Sequence, residues 1–439
     1  MLFPGEPGDR FVARLHPDGS RDVSFPAVAG GYLSGGGKLT QWEDRYYVAT
    51  NSLVRRFWPN GDIDYGYGNS TGSVPYFSPS QGGDYHVFPD GRVVMSGNHY
   101  FSDTIRGFVG MHNFIWFTNT GYLDTTRTHR KGNGAIYNFK ELSDGKFICN
   151  GTLSEFEGEP IDKIFRLNAD GSRDMTFQTG AYWGVAGAYH ELADGRILMG
   201  GLFLINGISD TLRLARLLPN GTVDPTFNLP SFSLGIMPDA TGFGSLVSNI
   251  YPLGQDYYIL QGNFREVNGQ HRLGICMINE NGDLVESVFH DHGGGPTQYM
   301  GNTFANQQGI APTPDGEYFY VWGRYHGYSD GTVNDTLQRF ITRLHAGDLA
   351  LAIEHSPPNA RPFSIQPNPA TDQVTFTFDH ATGSSIMIRD LAGRSIASLD
   401  VRAHSDRITW NTARLAPGIY VAALVTDGSV IASQKLVVE

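Results

Sequence analysis

Short apolar runs, broken by Asp-Gly or Asn-Gly, recur along most of this chain. One recurring unit, here called the Arg-Asp unit, has an Arg five residues before the Gly, an Asp three residues after it and a Phe six residues after it. Its clear copies begin at Arg14, Arg56, Arg166 and Arg216, and its weaker copies at Trp116, Met277 and Arg343. Asp-Gly or Asn-Gly between apolar runs is a strong β-hairpin signal, so each copy predicts a hairpin with positive φ at both turn positions.

A second hairpin unit lies between successive Arg-Asp units. It reads HVFPDGRVVMSG, KELSDGKFICNG or HELADGRILMGG, and begins at His86, Lys140, His190 and Ala311, with degenerate copies at Gln41 and Tyr251. Two hairpins per repeat predict a four-stranded antiparallel sheet. Such sheets, repeated at spacings of 42 to 65 residues, predict an all-β fold, a β-propeller of six or seven blades.

The charged positions of the Arg-Asp unit are predicted to pair across the hairpin, where they would lie nearly opposite each other. The predicted pairs are Arg14 with Asp22, Arg56 with Asp64, Arg166 with Asp174, and Arg216 with Asp224. Both charges are absent from the copy at Met277, as expected when an unpaired buried charge is costly. The copy at Trp116 keeps Asp124, which we expect also to bond turn amides. We interpret these residues as scaffold.

The two units together resemble the delta-60 repeat family. The match is close in RLNADGSRDMTF, RLLPNGTVDPTF and HELADGRILMGG, and it extends over about residues 10–350. This resemblance implies a β-propeller and brings no catalytic residues with it.

The chain opens on an Arg-Asp unit that no second unit precedes, and Met1–Pro7 has neither the basic flank nor the apolar stretch of a secretory signal. One hypothesis is that the protein continues upstream with the other half-blade and a signal peptide. The alternative is that residues 10–25 close the last blade.

The pattern changes near the C-terminus. We predict a propeller over 1–352, a polar, proline-rich linker over 353–362, and a small immunoglobulin-like β-sandwich over 363–439. Alternating apolar residues in Val374–Phe378 and Ile386–Ile388 predict short strands.

This last segment resembles the type A sorting domain of the type IX secretion system of Bacteroidota. The residues that carry the resemblance are Pro367, Asn368, Pro369, Asp372, Asp390, Gly393, Arg394, Pro417, Gly418, Tyr420 and Lys435. The resemblance implies a secreted or outer-membrane surface protein, recognised by the type IX machinery. It also implies that the domain is usually removed after export, and that the cargo is released or attached to surface lipopolysaccharide.

Composition narrows the set of partners. The formal charge is −12, which disfavours binding to nucleic acid or to anionic lipid. No apolar run reaches the roughly 18 residues of a transmembrane helix. The two cysteines, Cys149 and Cys276, are expected to be buried thiols in separate strands, with a disulfide as the alternative.

The search for chemistry gives few candidates. No HExxH, Gly-x-Ser-x-Gly, P-loop or dinucleotide motif occurs. Asp291 lies between His290 and His292, but in an extended backbone its side chain would point away from both. We therefore interpret His290–Gly295 as a polar loop. Three further residues are candidates to line one face of the propeller, namely His99, His326 and Tyr328. For these we favour an edge or loop role over catalysis.

No cofactor is predicted. The acidic residues Asp62, Asp64 and Asp330 faintly resemble calcium loops, but no distal Glu completes the ligand set. Weak calcium binding therefore stays open.

Aromatic residues near strand ends offer flat surfaces for sugars, although blades also use such rings as core. They are Trp42, Tyr46, Tyr47, Tyr76, Phe77, Tyr100, Phe101, Tyr182, Trp183, Tyr325 and Tyr328. The favoured hypothesis is an extracellular binding module for a glycan or protein ligand. The alternatives are a glycan hydrolase or lyase with its site in the propeller funnel, and a structural surface-layer component.

Overall fold

The computed structural model describes residues 2–4, 12–14, 16, 20, 22–25, 38–50, 53–71, 74–234, 246–254, 256–299, 302–313, 318–345, 363–378, 384–390, 395–401, 405–413, 415–426 and 429–438. Strands dominate these residues, and the one helix among them, α1, is the single turn Gly68–Thr71. The all-β prediction is confirmed.

The N-terminal half folds into a hairpin and three sheets of three strands. The hairpin pairs β1 (Leu2–Pro4) with β2 (Val12–Arg14). The first sheet contains β3 (Leu39–Trp42), β4 (Arg45–Thr50) and β5 (Leu53–Phe57), and the second β6 (Phe77–Val87), β7 (Val93–Asp103) and β8 (Phe108–Phe117). The third contains β9 (Ile136–Glu141), β10 (Phe147–Gly151) and β13 (Ile164–Leu167), with the small hairpin β11 (Glu155–Phe156) and β12 (Glu159–Pro160) inserted before β13.

Two further three-stranded sheets follow. The fourth contains β14 (Ala181–Glu191), β15 (Ile197–Ile205) and β16 (Leu212–Leu217), and the fifth β18 (Val247–Leu253), β19 (Tyr257–Gly262) and β22 (Ile275–Asn279). A side sheet joins β17 (Phe232–Ser233), β20 (Glu266–Val267) and β21 (Gln270–His271). The strands that come next are β23 (His292–Gly294), β24 (Thr297–Tyr299), β25 (Asn302–Phe304), β26 (Asn306–Pro312), β27 (Tyr318–Asp330) and β28 (Asn334–His345).

In the first to fifth sheets, the fourth strand predicted for each repeat is present only as a one-residue bridge after the Arg-Asp turn. In the first, second and fourth sheets the bridges are Phe57 with Ile63, Phe117 with Leu123, and Leu217 with Val223. The chain leaves the sheet directly after the bridge because the next residue is the Asp, whose side chain bonds the following turn.

The hairpin turns differ from the prediction in one respect. Gly61, Gly91 and Gly221 have φ of 93°, 79° and 92°, whereas the Asn or Asp before each has an ordinary negative φ. In the turn at Gly61 the glycine amide donates to Trp58 O, and the Trp58 amide donates to Asp62 O. This is a type I turn followed by a left-handed glycine, so positive φ is needed at the glycine alone.

The core lies between successive sheets rather than within one layer. In β7, Val93 and Met95 face the residues of the first sheet, whereas Val94 packs with Trp116 and Phe147 of the second and third sheets. Alternate residues of a strand point to opposite faces, so a strand covered on both faces is apolar throughout. This arrangement explains why the second hairpin units read as continuous apolar runs.

The C-terminal strands form a separate two-sheet sandwich. One sheet orders β29 (Phe363–Gln366), β30 (Gln373–Phe378) and β33 (Arg407–Asn411), and the other orders β32 (Ser395–Asp400), β31 (Ser384–Asp390), β34 (Gly418–Thr426) and β35 (Ser429–Val438). The predicted alternation is present, because Val374, Phe376, Phe378, Ile386 and Ile388 are all buried in one cluster.

Contacts between Cα atoms divide the chain into two compact parts. One comprises residues 1–285, 289–308 and 323–339, and the other residues 286–288, 309–322 and 340–439. The predicted linker 353–362 and both of its boundaries lie outside the described residues, and they stay predictions. Among the described residues, no helix has the length and apolar character needed to cross a membrane.

Candidate functional site

The four Arg-Asp pairs are formed. Arg Nε donates to Asp Oδ2 at 2.8 Å from Arg14 to Asp22, 2.7 Å from Arg56 to Asp64, 2.8 Å from Arg166 to Asp174, and 2.8 Å from Arg216 to Asp224. Each guanidinium also lies over the aromatic residue three positions after the Asp, at 4.4 Å for Phe177 and 4.9 Å for Phe227. The Phe of the repeat is therefore a cation–π partner of its Arg.

The same aspartates hold a second cation, which the sequence analysis missed. Lys146 Nζ lies 2.9 Å from Asp174 Oδ2, and Arg196 Nη1 lies 3.3 Å from Asp224 Oδ2. Burial alone would raise the pKa of Asp224, but hydrogen bonds from Thr226 and the two guanidinium groups outweigh it and hold that pKa well below its usual range. A sequence signal existed, because a basic residue follows Asp-Gly in both second units.

In the Arg-Asp unit that begins at Trp116, which lacks the Arg, a different residue supplies the cation for the Asp. Trp116 stands where the Arg is expected, and Arg127 Nε lies 3.8 Å from Asp124 Oδ2 with its guanidinium 4.2 Å from the Trp116 ring. Asp124 Oδ1 accepts hydrogen bonds from the Thr126 amide and hydroxyl, at 3.0 and 2.6 Å. Asp124 therefore bonds a turn amide and also faces a cation.

Side chains also link the first strands of neighbouring sheets, which contact one another from β6 through β9 and β14 to β18. Lys38 Nζ lies 3.3 Å from Asp84 Oδ1. His86 Nε2 lies 2.9 Å from Glu141 Oε2, and Lys140 Nζ donates to Tyr189 O at 2.7 Å. In a propeller these innermost strands surround the central axis.

Burial shifts the titration of this inner cluster. It raises the pKa values of Asp84 and Glu141, lowers the pKa of Lys140, and lowers the pKa of His86 to about 4. Perturbed groups of this kind also occur in active sites. Here each carboxylate already faces a partner from the neighbouring repeat, so the arrangement is the one expected of a structural network.

The expectation that the Asp291 side chain points away from its neighbouring histidines was wrong. Phe289 and Asp291 both have φ of 57°, so the backbone turns here and β23 begins only at His292. The Asp291 carboxylate consequently contacts His290 Nδ1 at 3.0 Å, and it also contacts Nδ1 of His271. Within the described part of the chain, no group of three or more His, Cys, Asp or Glu side chains is arranged to hold a metal ion.

The other loop candidates have structural surroundings. His99 and Tyr328 are buried, the former 5.4 Å from the Phe77 ring, and His326 is half-buried within β27. Cys149 and Cys276 are buried and free, as expected, and burial raises both thiol pKa values.

The acidic residues considered for calcium serve their own turns. Asp62 accepts from Asn60 Nδ2 at 2.8 Å, Asp64 pairs with its arginine, and Asp330 Oδ1 accepts from the Thr332 amide at 2.8 Å. The absence of a cofactor stays the prediction, with weak calcium binding as its alternative.

The aromatic residues separate into core and surface. Tyr47, Phe77, Phe101, Tyr325 and Tyr328 are buried, and Trp42 and Tyr46 are half-buried. The exposed rings are Tyr76 (43%), Tyr100 (46%), Tyr182 (52%) and Trp183 (50%).

These exposed rings lie at the end of their sheets opposite to the Asp-Gly turns. We call residues 76–82, 97–111, 131–134, 152–163 and 180–186 the connection edge. Tyr100 pairs in register with Met111, which is also exposed. Met111 lines a shallow, open depression of about 450 Å³ together with Lys131, Asn133, Glu155 and Glu157.

A β-bulge produces the largest exposed aromatic pair. Ala181 pairs with Ile205 and Trp183 with Leu204, so Tyr182 is an additional residue in β14. A bulge re-aims the side chains around it, and both rings consequently face solvent on consecutive residues. A simple alternation would bury one of them, which is why the sequence pattern alone cannot predict the pair.

Most of the described residues of the sorting motifs lie at one end of the sandwich, here called the sorting pole (residues 367–372, 411–413, 415–420 and 436–438). Asn368 Oδ1 accepts from the Val437 amide at 2.8 Å, and Gly418 and Tyr420 pair in register with Val438 and Leu436. Asp390 pairs with Tyr420, Lys435 pairs with Val421, and the Thr412 amide donates to Asp372 O at 2.8 Å. Exposed Pro367, Pro369 and Pro417 lie at this pole, whereas Gly393 and Arg394 lie outside the described residues.

Repeated three-stranded sheets with cores between them, followed by a two-sheet sandwich, define a β-propeller protein with an appended β-sandwich domain. Residues 364–439 match the secretion system C-terminal sorting domain. Residues 5–25, 142–177 and 192–227 match the DUF5122 β-propeller, a domain of unknown function. The protein is thus a secreted or cell-surface protein of the Bacteroidota type that carries a type IX sorting domain, and this domain implies interaction with the type IX machinery.

Several solved structures are similar to this chain at low sequence identity. A gluconolactonase from Xanthomonas campestris is 11% identical, with a TM-score of 0.33, over 67% of this chain and 84% of its own. A luciferin-regenerating enzyme is 10% identical, with a TM-score of 0.31, over 71% of this chain and 92% of its own. A protein of unknown function from Dyadobacter fermentans is 9% identical, with a TM-score of 0.30, over 71% of this chain and 94% of its own. No curated protein matches the chain.

Proposed function

We propose that the propeller is an extracellular binding module whose ligand, a glycan or a protein, contacts the connection edge. The observation that carries this proposal is the exposed pair Tyr182–Trp183, which a β-bulge presents on consecutive residues. Tyr and Trp dominate binding sites because they bring a large apolar area together with a polar group at little conformational cost. Two large rings that are exposed to water gain hydrophobic free energy when a ligand covers them.

Tyr76, Tyr100 and Met111 extend the exposed surface on the second sheet. The depression beside Met111 is shallow and open, which favours contact with an extended or broad ligand over enclosure of a small molecule. The neighbouring charged groups of Lys131 and Glu155 offer a donor and an acceptor to such a ligand.

Binding is favoured over catalysis because the inner carboxylates Asp84 and Glu141 already face partners within the protein. Asp84 and Glu141 are the described carboxylates on adjacent first strands with raised pKa values, and they face Lys38 and His86 respectively. A glycosidase needs two carboxylates that face the substrate rather than partners of their own.

The test uses the full chain, incubated with a panel of polysaccharides and glycoproteins. Retention of protein and release of new reducing ends are recorded together. Retention without release is expected, and a double substitution Y182A/W183A should abolish it. The matched control is Tyr65→Ala, which removes an exposed ring (72% exposed) at the turn end of its sheet.

Release of reducing ends would overturn the proposal in favour of an enzyme. Retention that survives the double substitution would place the ligand elsewhere. If no ligand of the panel is retained, a structural role at the cell surface becomes the better account.

A further inference from the structure

The last strand of the sorting domain is held in place by a segment that lies far away in the sequence. Asn368 Oδ1 accepts a hydrogen bond from the Val437 amide at 2.8 Å, and the Ala370 amide donates to Val437 O at 2.8 Å. A parallel bridge joins Ala370 to Val438. Both backbone groups of Val437 are therefore satisfied by the loop that follows β29.

A third segment completes the same surface. Gly418 and Tyr420 of β34 pair in register with Val438 and Leu436. Tyr420 Oη donates to Ala416 O at 2.8 Å, which closes the loop that contains Pro417. The hydroxyl thus fixes the position of that loop relative to the end of β35.

Among the described residues of this pole, the exposed ones lie in the loops, and Val437 of the last strand is half-buried. Leu436 and Val438 are buried in the core with Ala370 and Tyr420. Pro367, Asn368, Pro369 and Pro417 are exposed beside them. A partner that approaches the pole therefore meets two exposed loops held around a strand end, where Leu436 and Val438 face inward.

We propose that the type IX machinery reads the sorting pole as a composite surface, and that Asn368 is the positioning residue that sets the C-terminal strand within it. The recognised unit is a folded one, because the three segments come together only in the sandwich. A detached peptide with the sequence of β35 would lack the two loops. This inference goes beyond the proposed function of the propeller and does not depend on it.

The experiment expresses the full chain in a host with a type IX system and measures the exported fraction. Hydrogen exchange of the Val437 amide is measured on the same purified variants. Asn368→Ala removes the acceptor, so exchange at Val437 should accelerate by about fivefold, the effect of one ordinary hydrogen bond, and export should fall. Asn368→Asp keeps an acceptor oxygen, so both quantities should stay close to those of the unaltered protein.

Thr409→Ala is the matched control. Thr409 and Thr375 share an exposed hydroxyl–hydroxyl bond of 3.0 Å in the middle of β33 and β30. Its loss should leave both Val437 exchange and export unchanged.

Three results would overturn the proposal. Faster exchange at Val437 with normal export would show that the strand position is not needed. Lower export without faster exchange in Asn368→Ala, or a folded Asn368→Asp with a protected Val437 that is not exported, would show that the Asn side chain itself is read. If Asn368→Ala leaves no folded sandwich, the Asn368→Asp variant decides alone.

Discussion

Arg216 Nε donates to Asp224 Oδ2 at 2.8 Å, and both side chains are almost fully buried. Arg216 also reaches forward, because its Nη1 donates to Glu280 O in the next Arg-Asp turn along the chain. One residue thus neutralises the aspartate of its own hairpin and bonds the backbone of the following repeat. The pair therefore couples hairpin formation to the packing of neighbouring sheets.

Replacing Asp224 by Asn should destabilise the propeller by about 3 kcal/mol, because a buried guanidinium loses its counter-charge. The measurement is the urea midpoint of unfolding. Asp22→Asn is the comparison, since its partner Arg14 is 40% exposed and water can take over the lost contact. Equal losses at the two sites would contradict the role assigned to burial.

The Arg-Asp pairing followed from the spacing of the residues, since positions on both sides of a short turn must meet. The second cation on the same aspartates could not be deduced in this way. Lys146 and Arg196 lie immediately before β10 and β15. Only the packing of the two hairpins of a repeat against each other brings them to Asp174 and Asp224. Local spacing reports contacts within a hairpin, whereas contacts between hairpins depend on the assembled sheet.

Asp291 and Tyr182 show the other limit. The direction of the Asp291 side chain was predicted from the regular alternation of an extended strand. Tyr182 was selected because it is an aromatic residue near a strand end. The structure places a left-handed residue at Asp291 and a bulge at Tyr182. Both features reverse the side on which a side chain lies, and no apolar pattern encodes them.

The propeller should lose stability as the pH falls from about 6.5 to 4. Burial lowers the pKa values of His99 and His129 to about 4, whereas an unfolded histidine titrates near 6.5. In this window the unfolded chain binds protons that the folded chain does not, so the free energy of unfolding falls by up to about 1.4 kcal/mol per pH unit for each histidine.

The check is the urea midpoint at pH 7 and pH 5. His129→Gln should flatten the dependence, since Gln has no proton to take up and its oxygen can accept the Trp116 amide as His129 Nδ1 does at 3.2 Å. A slope that His129→Gln does not alter would contradict the assignment.

Trp183→Ala should weaken binding of the retained ligand by tenfold or more, the usual effect of removing a central aromatic contact. Binding is measured by calorimetry with whichever polysaccharide or glycoprotein the full chain retains. Thermal unfolding should be little altered, because the ring is half exposed. Unchanged affinity would exclude the bulge as the contact point.

Gly221→Ala and Gly207→Ala separate backbone strain from steric conflict. Both glycines have φ above 80°, but a Cβ at Gly221 would lie 2.8 Å from backbone N and O of Gln178, whereas at Gly207 the space is open. We expect a loss of about 1 kcal/mol for Gly207→Ala from strain alone. The loss for Gly221→Ala should be clearly larger, since the Gln178 amide must also release Asn220 O, to which it donates at 2.9 Å.

Chemical denaturation of the two variants provides the comparison. Similar midpoints would show that the contact between the Gly221 turn and Gln178 contributes little to holding the repeats together.

Lys38, which precedes β3, and Lys140 of β9 have a consequence for the exposed edges of the propeller sheets. Strands β6 and β14 are terminal in their sheets, and Lys38 Nζ and Lys140 Nζ donate to their carbonyls Tyr85 O and Tyr189 O at 2.6 and 2.7 Å. A bare strand edge invites pairing with foreign backbone, and a lysine placed there is a common protection against it. With ammonium groups bonded to these carbonyls, a stray segment cannot extend the sheets inward at those points, so the repeats are guarded there against aggregation with one another.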